Sequence, residues 1–184
     1  MSMNVVSTKE KYAKSVVSHM METFKYDSVM SVPKIEKVVV NVGIGKILKE
    51  GDRIDEIVEG LRAITGQQPV KTKSHKAIAG FKIREGMEIG IKVTLRGKRM
   101  WSFIDRLINS TLPRTRDFQG INKSTVDKGG NLNIGIKEHM IFPEISPEKV
   151  RQIFGLQITV VSSARTQEEG LELFKQLGFP FKSN

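Results

Sequence analysis

Cysteine is missing from all 184 residues, which excludes disulfides, thiolate metal sites and cysteine nucleophiles together. Aromatic residues are scarce, at 7% with a single Trp, so a core has to be built mainly from aliphatic side chains. No apolar run reaches the roughly 18 residues of a membrane-spanning helix. The opening MSMNVVSTKEKYAK has neither a continuous apolar segment nor a small-residue cleavage site, so no secretory leader is expected and a cytoplasmic location fits best. Histidine occurs only at His19, His75 and His139, outside any HExxH pattern, so neither a metal site nor a cofactor is expected.

Acid is the next absence, and it is local. Between Pro69 and Arg99, nine Lys or Arg face only Glu85 and Glu88, so that +7 of the chain's net +10 lies in 31 residues. The remainder is close to neutral. A patch of this density on an otherwise ordinary surface points to a polyanionic partner, of which phosphate backbones are the commonest. With 39% hydrophobic and 27% charged residues, the composition is globular, and a single domain spanning residues 1–184 is expected.

Periodicity supplies the elements. Tyr12, Val16, Val17, Met20, Met21 and Phe24 recur at helical spacing behind Ser7-Thr8-Lys9-Glu10, which reads as a capping box. KIEKVVVNVGIG reads as a strand with Ile35, Lys37 and Val39 in one row and a tight, positive-φ exit at Gly43 and Gly45. A helix from Asp52 carries Ile54, Ile57, Val58, Leu61 and Ile64 and stops at Gly66. Pro69 to Ser74 and Glu88 to Arg96 are strands bracketing a long, mobile, exposed tip, His75 to Met87. Met100 to Ile108 forms a helix that stops near Pro113, Asn131 to Lys137 and Leu156 to Val161 are strands, and Leu171 to Leu177 is a helix. The fold class that follows is α+β, with a largely antiparallel sheet, helices on one face and a basic hairpin loop.

Enzyme signatures are weak. Gly43-Ile44-Gly45 lacks a third glycine, since Leu48 stands where it should fall, and there is no GxxxxGK[ST] or GxSxG. The acidic residues solvate helix faces, as in Asp55-Glu56-Glu59, and nominate no acid/base pair; no catalytic residue is expected. A Lys- and Thr-bearing sheet face (Lys71, Lys73, Lys92, Thr94), amides at Asn41 and Gln67, and Gly80 and Phe81 in the tip favour RNA. An enzyme acting on nucleic acid and a module docking an acidic protein remain as rivals.

LRAITGQQPVKTKS, HKAIAGFKIREGMEIGIKVTLRGKRMW, RTRDFQGI and GNLNIGIKEHMIFPEI, with VVVNVGIG before them, resemble the bacterial branch of the universal large-subunit ribosomal protein number five, the 5S-rRNA-binding family. The resemblance implies a curved, RNA-recognition-like sheet. It places Asn41, Gln67, Lys71, Thr72 and Thr94, with Arg84 nearby, against 5S rRNA in the central protuberance, with 23S rRNA and other large-subunit proteins as neighbours. It also implies that the tip, with His75, Lys76, Ala79, Gly80 and Lys82, reaches the P-site tRNA. Arg114 and Arg116, and Phe142, Pro143 and Glu144, would face a small-subunit head protein across the subunit interface. The family commonly carries Lys or Arg where this chain has His75, which lowers the charge there.

Overall fold

The computed structural model describes residues 7–45, 47, 50–116, 118–146, 148 and 150–182. Leu48, Asp117 of the RTRDFQGI segment and Pro147 lie outside them. The elements run α1 (Thr8–Lys11), a π turn (Tyr12–Val16), α2 (Val17–Phe24), β1 (Ile35–Gly43), α3 (Gly51–Thr65), β2 (Val70–Lys73), β3 (Glu88–Leu95) and α4 (Gly97–Arg106). A second π turn (Leu107–Thr111) extends α4, and β4 (Leu132–Ile136), β5 (Leu156–Ser162) and α5 (Gln167–Leu177) complete the chain. The class is α+β: five strands form an open antiparallel sheet in the order β2-β3-β1-β5-β4, with helices packed on it.

Two compact units divide the chain, one made of the described residues up to Val38 with Arg96–Ile134 and those from Thr159 on, the other of Val39–Leu95 and Gly135–Ile158. In the first, Val16, Met20, Phe103, Ile104, Leu107, Leu173 and Phe174 are buried, each burial worth roughly 1.5–3 kcal/mol against exposure. The expected capping box does not form. Ser7 makes no side-chain cap; instead the Thr8 N–H donates to Asp105 Oδ1 at 2.8 Å, and the Thr8 hydroxyl donates to the same oxygen. A partner on α4 satisfies the helix start that Glu10 was expected to satisfy locally. On α2, His19 Nε2 meets Glu172 Oε1 at 3.0 Å, and Gln176 donates to that carboxylate at 2.7 Å. His19 is thus a helix-flank histidine tied to α5. Burial raises the Glu172 pKa, but the hydrogen bonds from Gln176 and His19, with Lys175 nearby, hold it below the usual carboxylate value.

In the second unit α3 packs on β3, burying Ile54, Ile57, Leu61 and Ile64 with Ile91, Val93 and Leu95. The buried row of β1 is Val38, Val40 and Val42, with Asn41 exposed. Ile35 of the alternating row is buried as well, but Lys37 and Val39 are only half-buried, and over Val38 to Val42 the strand buries the other row. Gly66 ends α3 in the left-handed region at φ +66°, as its position after the last apolar residue requires. Gly43 and Gly45, by contrast, do not adopt positive φ, and the reading of a strained strand exit is corrected: these two glycines line an open groove instead.

Candidate nucleic-acid interface

The register of β2 on β3 decides which side chains share the open face. Val70 pairs with Lys92, Lys71 with Ile91 and Thr72 with Gly90, with an irregularity between Thr72 and Lys73. Directly paired residues of an antiparallel ladder point to the same side. Ile91 is buried, so Val70 and Thr72 share the open face with Gly90 and Lys92, and Lys71 is registered with the core row. The expectation that Lys71 lies beside Lys92 and Thr94 on the open face is corrected. Its ammonium instead pairs with Glu88 at 3.6 Å, at an edge where both side chains are about 40% exposed.

Gly90 is the low point of this face. A Cβ there would stand 2.7 Å from Thr72 Oγ1 and 3.8 Å from Asn41 Oδ1. Thr72, Gly90 and Asn41, from β2, β3 and β1, therefore form one row, a hydroxyl and an amide on either side of a buried glycine that carries no side chain. Gly90 was missed as a site residue, although a lone glycine inside a strand pattern is the usual signal of close backbone approach. Gln67 is placed by the αL turn at Gly66 and by Thr65, whose buried hydroxyl donates to the Leu61 carbonyl at 2.7 Å and accepts from the Gln67 N–H at 3.3 Å. The Gln67 amide then donates to the Thr94 carbonyl at 3.2 Å. This orients Gln67 and leaves the Thr94 hydroxyl for other partners.

The tip is more ordered than a plain loop. Ser74 N–H donates to the Met87 carbonyl at 2.8 Å and Gly86 N–H to the Ser74 carbonyl at 2.9 Å, and farther out Ile78 and Ile83 exchange backbone bonds of 2.9 and 3.1 Å. Inside that bridge lies a single 3-10 turn, Ala79–Phe81, closed by Lys82 at φ +55°. The hairpin is thus pinched into a terminal lobe. His75, Lys76, Ala79, Gly80 and Lys82 are all exposed there. Arg84, whose N–H donates to Met87 Sδ at 3.0 Å, belongs to this tip and not to the Asn41–Thr72 row. No ion pair engages Lys76, Lys82 or Arg84 among the described residues.

Arg114 and Arg116 are in the first unit, while Phe142, Pro143 and Glu144 fall in the second. Phe142 is 2% exposed, so its ring belongs to the core and Pro143 carries the surface. His139, unassigned from sequence, is buried, stacks on Phe154 at 3.8 Å between ring centroids, and accepts the Phe154 N–H on Nδ1 at 3.3 Å. Burial lowers its pKa. Among the described residues no three His, Asp or Glu side chains gather to hold a metal ion, and no helix is long and apolar enough to cross a membrane.

A polar sheet face beside a hairpin tip whose cations make no ion pair among the described residues has the surface chemistry of the class of nucleic-acid-binding proteins. The family is specific. Residues 28–84 match the model of ribosomal protein L5 and residues 88–181 match the model of that ribosomal family's C-terminus, and the chain belongs to the ribosomal protein L5 family. It is 53% identical over 173 residues to the large ribosomal subunit protein uL5 of Syntrophomonas wolfei, covering 94% of this chain and 97% of that one. It is 52% identical over 177 residues to the uL5 protein of Oenococcus oeni, covering 96% and 98%. To that of Halothermothrix orenii it is 51% identical over 172 residues, covering 94% and 96%. The family is one of ribosomal constituents, so the protein is a structural, rRNA-binding component of a ribonucleoprotein and not an enzyme.

Proposed function

We propose that the protein, as a structural constituent of the large ribosomal subunit, holds 5S rRNA on the open face of β2, β3 and β1, and touches the P-site tRNA with its basic tip. The carrying observation is the row Thr72, Gly90 and Asn41, beside Thr94 with its oriented Gln67. Amides and hydroxyls set around a position without a side chain suit the sugars and base edges of an irregular RNA loop, which phosphate contacts alone cannot read. The tip supplies charge without such groups, as expected of a contact to the backbone of a second RNA. By family resemblance the protein attaches 5S rRNA to 23S rRNA in the central protuberance, beside other large-subunit proteins, and Arg114, Arg116, Pro143 and Glu144 meet a small-subunit head protein. Its place is then the cytoplasmic ribosome.

The test is whether the purified chain forms a one-to-one complex with 5S rRNA in the presence of excess tRNA. Stoichiometric 5S rRNA binding that survives the competitor is expected, whereas equal binding of both would reduce the face to a nonspecific cationic surface. Asn41→Ala, Gln67→Ala or Thr94→Ala should each weaken 5S rRNA binding by about 1–3 kcal/mol.

A further inference from the structure

Not all of the second unit is suited to RNA. Beside the outer end of β1 lies a groove of about 680 Å³, lined on the body side by Val42, Ile57, Ile153 and Phe154, and opened by Gly43 and Gly45, which contribute no side chain. It adjoins a polar cleft of about 840 Å³ with which it shares Arg53, Glu56 and Gln152; the cleft carries Glu50, Asp52, Asp55 and Glu59 besides, so that five carboxylates there outnumber the two cations Arg53 and Arg151. Arg53 is taken up by Glu50 at 3.0 Å, and Glu56 by the Arg151 N–H at 3.0 Å. Asp52, Asp55 and Glu59 are exposed with no cation bound to them among the described residues. Such an edge repels phosphate, so its complement is a basic segment with apolar side chains to fill the groove.

The tip of this same chain is such a segment. Phe81 and Ile83 already line the groove from the other side, and Lys76, Lys82 and Arg84 around them have no ion-pair partner among the described residues. Phe81 is still 75% exposed, so the lobe stands at the mouth of the groove without filling it. The lobe joins the sheet through the Ser74–Met87 and Gly86–Ser74 hydrogen bonds, a narrow hinge. We infer that in the RNA-free protein the lobe closes onto the groove, seating Phe81 and Ile83 against Ile57, Ile153 and Phe154 while its cations face the carboxylates of α3. Given the RNA reading above, the bound RNA and the α3 carboxylates then compete for the same cations, and the tip becomes available only when RNA displaces it.

The absence of cysteine makes the test direct. Ala79→Cys provides the sole thiol for a nitroxide, whose mobility in RNA-free protein reports the lobe. At low salt a slow component should dominate the spectrum. It should fall at least twofold in Asp52→Asn/Asp55→Asn/Glu59→Gln, in Phe81→Ser, and on raising salt, because the exposed pairs are screened beyond about 8 Å at physiological ionic strength. The three carboxylates are exposed, so that variant should fold normally, as far-UV circular dichroism would verify. A label equally mobile in every background overturns the inference and leaves the groove to a basic segment of another chain. Because no RNA is present, this outcome and failure of the 5S rRNA experiment are separable.

Discussion

At the scale of single residues, Gly90 carries the most. An added methyl would press on Thr72 Oγ1 at 2.7 Å and fill the gap before Asn41 Oδ1, yet the Thr72 side chain is partly exposed and can turn away. Gly90→Ala should therefore leave thermal stability nearly unchanged while lowering 5S rRNA affinity about tenfold, or about 1.4 kcal/mol, measured by filter binding alongside a melting curve. Unaltered affinity would remove this row from the interface. His139 gives a second residue-level test. Its folded pKa is depressed by burial, so the unfolded chain binds the extra proton as pH falls, and its contribution to stability is present above the unfolded value of about 6.5 and lost below it. Denaturant midpoints should drop from pH 7.5 to pH 5, and His139→Phe, which keeps a ring against Phe154, should flatten that part of the profile.

At the scale of elements, the tightest crossing is where α5 meets the turn before β4. A Cβ on Gly170 would come within 2.5 Å of the Gly130 Cα and carbonyl oxygen, atoms of the backbone that cannot rotate aside. Gly170→Ala should cost about 1–3 kcal/mol by overpacking, visible as a lowered melting temperature, whereas Gly135→Ala, whose Cβ would meet nothing within 4 Å, serves as the control. The existence of these elements was legible from periodicity, from α3 with its Gly66 stop to β3 with its alternating Ile and Val. The phase of two strands was not. In β1 the consecutive valines 38, 39 and 40 satisfy either face, and in the edge strand VKTK both alternating sets are largely exposed, so hydrophobicity cannot choose between registers one residue apart. Tertiary partners settle both. For the same reason Asp105, 97 positions away from Thr8, could not be foreseen as the cap of α1, and the pinched lobe had only Ile78 and Ile83 in a polar stretch to announce it.

At the scale of the whole molecule, the charge that first marks the chain is divided by structure into groups with different environments. Lys71 is engaged with Glu88 at the sheet edge, Lys92 stands on the open face beside the Thr72–Gly90 pair, and the tip cations have no ion-pair partner among the described residues. Only cations that replace condensed counterions at phosphates contribute to the salt dependence of binding, whereas amide and hydroxyl contacts such as those of Asn41 and Gln67 do not. If about six phosphates are neutralised, log K should fall with log salt at a slope of about −4, or two to three orders of magnitude between roughly 50 and 200 mM. Lys76→Ala/Lys82→Ala should flatten the slope for tRNA by about 1.4 at the single-strand value per phosphate and leave that for 5S rRNA nearly unchanged. Asn41→Ala should do the reverse, lowering 5S rRNA affinity at every salt concentration with the slope intact. Anisotropy titrations of both RNAs over a salt series separate the two patterns, and loss of 5S rRNA binding in the lysine pair would mean that the tip, not the sheet, is its principal anchor.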